Sequence, residues 1–150
     1  MAVLSIIKHP NPVLRRKAKR VRAVDESLNR LIDDLIDTMH DAEGAGLAAP
    51  QVGVSLKIAV VQMADEDVIV LVNPEVVRKS GERYVVEGCL SVPGYRGEIK
   101  RSEQVTVKAL DRNGKGFRIK AEELLAEALE HEMAMLMLRW SKASRAWRCS

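Results

Sequence analysis

A chain of 150 residues, 47% hydrophobic and 30% charged, holds enough apolar material for the core of one domain and is neither disordered nor membrane-like in composition. No apolar run approaches the roughly 20 residues needed to cross a bilayer, and Pro10 interrupts the opening stretch before a signal peptide could form, so the expected address is cytoplasmic. The formal net charge of +3 is unevenly spread, and the basic character belongs to the last twelve residues.

The segment "HPNPVLRRKAKRV" opens with turn residues Pro10 and Pro12, and its basic stretch predicts one or two helical turns with a solvated face. In "DESLNRLIDDLIDTMHDAEGAG", Leu28, Leu31, Ile32, Leu35, Ile36 and Met39 recur at helical spacing, with Gly44 and Gly46 expected to stop the helix. "LKIAVVQM" and "VIVLVNP" read as strands, and "EVVRKSGERYVVEG" as a hairpin around Ser80 and Gly81. "EQVTVKALDRNGKGFRIKA" is a clearer hairpin, with alternating Val105, Val107 and Ala109, an Asn113-Gly114 turn, then Phe117 and Ile119. From about Ala121 the pattern becomes helical again, to Leu138 or Trp140. The order of elements defines an α+β domain over residues 1–138. Residues 139–150 form a basic tail: Arg139, Lys142, Arg145 and Arg148 stand there without an acid, leaving the remainder at about −1. No clean apolar face continues past Trp140, so a loosely held terminus is expected.

Three short segments carry chemistry. "GAGLAAPQ", Gly44 to Gln51, combines glycines that allow close backbone approach with an amide donor. "EGCLS", Glu87 to Ser91, offers a thiolate at Cys89 and a backbone N–H at Leu90. "EHEMA" places His131 beside Glu132 on the late helix, a ligand next to a proton shuttle. Each alone has a plain structural account: a helix-to-strand turn, a buried strand-end cysteine, a satisfied surface pair. Cys89 and Cys149 lack paired spacing, which argues against a disulfide framework.

Together and in this order, the segments resemble the three motifs of the peptide deformylases: Gly-x-Gly-Leu-Ala-Ala-x-Gln, Glu-Gly-Cys-Leu-Ser and His-Glu-x-x-His. The likeness runs from "HPNPVLRRKAKRV" to about Met133 and includes "LVNPE", "VPGYR" and "ALDRNGK". It implies a deformylase-like fold, antiparallel strands around a late site-bearing helix, and metal-dependent removal of the N-formyl group from the first methionine of nascent proteins. It further implies a divalent metal, Fe²⁺ or Zn²⁺, held by Cys89, His131 and a second helical histidine, with Glu132 as acid and base. Gln51 and the Leu90 amide would stabilise the oxyanion, and Gly46 would present backbone to the substrate. Ala45, Gly88, Arg96, Leu124 and Ala128 would surround the formylated peptide. Residues 51, 89, 90 and 131 are then expected to converge, over a core that includes Leu47, Ile58, Val60, Leu90, Leu125 and Leu129.

The third motif departs from the pattern. Ala134 replaces the usual aspartate and Met135 the second histidine, and a neutral, soft thioether suits Cu(I) rather than Zn²⁺ or Fe²⁺. Two remaining ligands would hold a catalytic metal poorly, so hydrolysis is expected to be impaired. The rival expectation is an inactive deformylase-like monomer that binds peptide N-termini, or the ribosome through its basic tail. The break begins sharply at Ala134, which fits either a shifted reading frame or a diverged paralogue.

Overall fold

The computed structural model describes residues 2–8, 11–136 and 147–149. Among these residues, two helices and eight strands follow a short 3₁₀ turn at Pro12–Arg15: α1 (Glu26–Asp41), β1 (Gly46–Ala48), β2 (Ile58–Val61), β3 (Ile69–Ser80), β4 (Arg83–Cys89), β5 (Val92–Arg101), β6 (Gln104–Leu110), β7 (Gly116–Glu122), α2 (Glu123–Leu136) and β8 (Trp147–Cys149). They build a five-stranded sheet in the order β1-β2-β3-β6-β7 and a three-stranded sheet in the order β4-β5-β8, and all their pairings are antiparallel. The α+β architecture is the one expected.

The larger sheet is buried on both faces because successive side chains of a strand point to opposite sides. In β2, Ile58 and Val60 join Leu28, Ile32, Leu35 and Met39 of α1, whereas Ala59 and Val61 join Ala126, Leu129, Met135 and Leu136 of α2. Leu47, Ile58, Val60 and Leu129 are fully buried as expected, and Leu90 and Leu125 are half-buried at the edges of the two clusters. The late helix is thus seated by its own apolar face.

Four details differ from the sequence expectation. The helix α1 ends before the glycines: Asp25 caps its start through Leu28 N, and at its end Glu43 takes a positive φ of 55°. The Glu43 and Gly44 amides then donate to the carbonyls of His40 and Met39, a Schellman-type stop made without glycine at the left-handed position. The stretch 75–88 is not a hairpin. Residues on the two sides of Gly81 belong to different sheets, β3 pairing with β6 and β4 with β5. Nor does the β3 strand stop at Pro74; it runs through a register shift there, where the missing proline N–H is tolerated. Asn73, at φ 51°, locks this shift by bonding both the N–H and the C=O of Val21. Finally, Trp147–Cys149 pair with Tyr95–Gly97 as a third strand, where no regular structure was expected. The hairpin at 104–122 forms as expected, with Asp111 accepting from the Asn113 and Lys115 amides across the turn. The expected course of α2 to Leu138 or Trp140 lies outside the described residues.

Candidate active site

The end of β4, the strand β1 with the turn after it, and the middle of α2 meet around a cavity of about 680 Å³. Its walls include every candidate site residue of the three motifs except Met135: Ala45, Gly46 and Gln51 from the first; Gly88, Cys89 and Leu90 from the second; His131 and Glu132 from the third. Arg96, Leu124 and Ala128 line it as well. The expected convergence of residues 51, 89, 90 and 131 is therefore present.

Close backbone approach explains the two glycines. A Cβ at Gly44 would stand 2.7 Å from Leu90 Cδ1, and one at Gly46 would stand 2.8 Å from Glu132 Oε1. Their role is to let β1 close on α2 and on the cysteine loop, not to end α1.

Gln51 is almost fully buried and fixed in one orientation. Its Oε1 accepts from Ala48 N at 3.0 Å, so its Nε2 must face the cavity, 3.2 Å from Ser91 Oγ and 3.7 Å from Cys89 Sγ. That arrangement leaves an amide donor beside the thiol.

His131 is held by a carboxylate that the motif reading left without a role. Glu87 Oε1 lies 2.8 Å from His131 Nδ1, and Arg101 binds Glu87 through Nε and Nη2, each at 2.8 Å. Burial alone would raise the Glu87 pKa, but the hydrogen bonds from Arg101 and His131 bring it down to about 2. Burial disfavours the charged His131 ring, yet its hydrogen bonds to Cys89 and Glu87 outweigh this and raise its pKa. With Nδ1 committed to Glu87, Nε2 is the nitrogen left for Cys89, or for whatever Cys89 holds. The signal for Glu87 was in plain view as the first letter of "EGCLS"; Arg101, fourteen residues away, carried none.

Glu132 has only 4% of its surface exposed, and among the described residues its Oε2 has no hydrogen-bond partner. Desolvation raises its pKa to about 7, with His131 lowering and Glu87 raising it further. A carboxyl so placed can hold or release a proton near neutrality.

Met135 is fully buried among Leu14, Ala48, Ala59 and Leu129. It shares a helix face with His131 but stands in the apolar core. Among the described residues no group of three or more His, Cys, Asp or Glu side chains is arranged to hold a metal. A thiolate and one imidazole make an incomplete donor set for tetrahedral Zn²⁺ or for Fe²⁺. The residues present do not fit the metal that the resemblance implies.

An α+β fold with a cysteine, a Glu-anchored histidine, a buried glutamate and a buried amide around one cavity defines a hydrolase-type site. The chain belongs to the peptide deformylase family: the family model for polypeptide deformylases matches residues 3–137. It is 56% identical over 133 residues to a peptide deformylase of Dehalococcoides mccartyi, covering 88% of this chain and 80% of that one. It is 49% identical over 148 residues to peptide deformylase 1 of Bacillus anthracis, covering 97% and 95%. The crystal structure of a peptide deformylase from Legionella pneumophila superposes with a TM-score of 0.88 at 48% identity, covering 97% of this chain and 93% of that one. Enzymes of this family are metal-dependent and act on formylated nascent peptides. No helix among the described residues is long and apolar enough to cross a membrane.

Proposed function

We propose that this chain retains the deformylase pocket and binds formylated peptide N-termini, with hydrolysis impaired because Met135 stands where the second helical histidine would be. The observation that carries the reading is the contrast within the site: Cys89, His131, Glu132 and Gln51 converge on one cavity, while the last position of the third motif is a buried thioether. In this reading Gln51 Nε2 and the Leu90 N–H bind the formyl oxygen, Glu132 holds the proton destined for the departing amine, and Glu87 with Arg101 orients His131. Leu124 and Ala128 pack on the first side chain, Gly46, Ala45 and Gly88 approach the peptide backbone, and Arg96 stands at the mouth. Residues 1–138 carry this activity and 139–150 are an accessory tail.

Formate release from a formylmethionyl peptide tests it. The natural chain should turn over near background, and Met135→His with Ala134→Asp, supplied with Fe²⁺ or Zn²⁺, should gain at least about tenfold in kcat/KM. Equal rates in both proteins would overturn the assignment of the lesion. Failure of the natural chain to bind any formylmethionyl peptide would overturn the pocket reading itself.

A further inference from the structure

Among the described residues Cys89 and His131 are too few donors for the implied metal, yet they are two of the three groups that make a nucleophilic thiol. Cys89 is half-buried at the end of β4 and lines the cavity, so an entering molecule can reach its sulfur. His131 is hydrogen-bonded to Cys89 on one side and to Glu87 on the other, the latter through Nδ1 at 2.8 Å. A base in reach of a nucleophile, and oriented by a third group, is the arrangement that activates serine and cysteine hydrolases. Arg101 in turn fixes the third group. The surroundings of the sulfur suit a substrate carbonyl. Gln51 Nε2 carries two hydrogens, one for Ser91 Oγ and one for an oxyanion, and stands 3.7 Å from Cys89 Sγ. The Leu90 N–H directly follows the thiol in the chain, where hydrolases draw an oxyanion donor from the residue after the nucleophile. Glu132 lines the same cavity, only 4% exposed, and among the described residues its Oε2 is a buried acceptor without a partner.

We propose that the metal-free chain is a cysteine-dependent esterase for short acyl esters, with Cys89 as nucleophile, His131 as its base and Glu87 as the group that orients the ring. In the first step Cys89 Sγ attacks the ester carbonyl carbon while its proton passes to His131 Nε2. The carbonyl oxygen takes the negative charge and lies against Gln51 Nε2 and the Leu90 N–H. As the carbonyl re-forms, the C–O bond to the alcohol breaks, and His131 returns the proton to the departing oxygen. Water then attacks the thioester, with His131 taking its proton and handing it to the sulfur as the C–S bond breaks. The unpartnered oxygen of Glu132 is an acceptor that can hold this water in place. Ester and water become acid and alcohol, with no metal, oxidant or reductant consumed. An alkoxide leaves more readily than the amine of a formamide, so this activity coexists with impaired deformylation. Its substrate is not a formylated peptide, and it stands or falls independently of peptide binding.

The test uses the full chain with chelator present and p-nitrophenyl acetate as the probe. The natural chain should release a burst of about one equivalent of nitrophenol and then turn over steadily. Its rate should exceed that of Cys89→Ser and of Cys89→Ala, both small changes at a half-buried position, by at least about tenfold. Mass spectra of acid-quenched protein should place the acetyl group on Cys89. Cys149→Ser, which removes the other thiol of the chain, should leave rate and adduct unchanged. His131→Gln should slow acylation by about a hundredfold or more, an effect that a merely exposed thiol would not show. Turnover no faster than in Cys89→Ser and Cys89→Ala overturns the proposal. So does an acetyl group found only on other residues, or an unchanged acylation rate in His131→Gln.

Discussion

Replacing Glu132 with glutamine should make the metal-free protein more stable, and by an amount that depends on pH. The carboxyl is buried with one oxygen unpartnered, and its pKa stands at about 7 against an ordinary 4.5. In the window between those values the folded chain binds a proton that the unfolded chain has released. Stability therefore falls as pH rises through it, with the full penalty present above 7. That displacement corresponds to roughly 3 kcal/mol on the charged form. The side-chain amide introduced by Glu132→Gln must itself be buried, so a net gain of about 1–3 kcal/mol at pH 8 is expected, shrinking to nothing near pH 4.5. Urea unfolding of both proteins at pH 5, 6, 7 and 8, with chelator present, measures it. At about 2–4 °C per kcal/mol for a chain of this size, the melting temperature at pH 8 should rise by about 2–12 °C. A difference that stays constant with pH, or a variant that is less stable at pH 8, would refute the reasoning.

Arg101→Met should destabilise by about 3–5 kcal/mol, since it leaves Glu87 buried with only His131 as partner; denaturant midpoints at pH 7 check it. Because Glu87 titrates near 2 instead of 4.5, the natural chain should lose its contribution only as pH falls through that range, and Arg101→Met should unfold at a higher pH in an acid titration. Gly46→Ala should cost about 1–3 kcal/mol and displace Glu132, because the new Cβ would sit 2.8 Å from its Oε1; the shift should show as a changed pH profile of stability relative to the natural chain.

Much of the fold was legible where local chemistry and tertiary need agree. The apolar stripe Leu28, Ile32, Leu35 and Met39 behind the Asp25 cap is such a place, and so is the alternating 104–122 hairpin. The partner of β3 was not legible, because 75–80 and 83–88 both read as strands around Gly81 and nothing local says that they separate into two sheets. The strand β5 escaped notice since "VPGYRGEIKR" carries a proline and two glycines and no sustained apolar alternation. In the site, the residues of the three motifs were readable through their resemblance and do line one cavity. The Glu87–Arg101–His131 chain was not, because Arg101 looks like any surface cation until folding buries it against Glu87.

Metal binding tests the central claim most directly. Zn²⁺ or Co²⁺ is titrated by calorimetry into the natural chain and into Met135→His with Ala134→Asp. The account predicts no stoichiometric site of micromolar or better affinity in the natural chain. In the double variant it predicts about one equivalent bound, together with a metal-dependent rise in stability, since the new histidine is buried without a partner until the ion arrives. A natural chain that binds one ion as tightly as the double variant would contradict it.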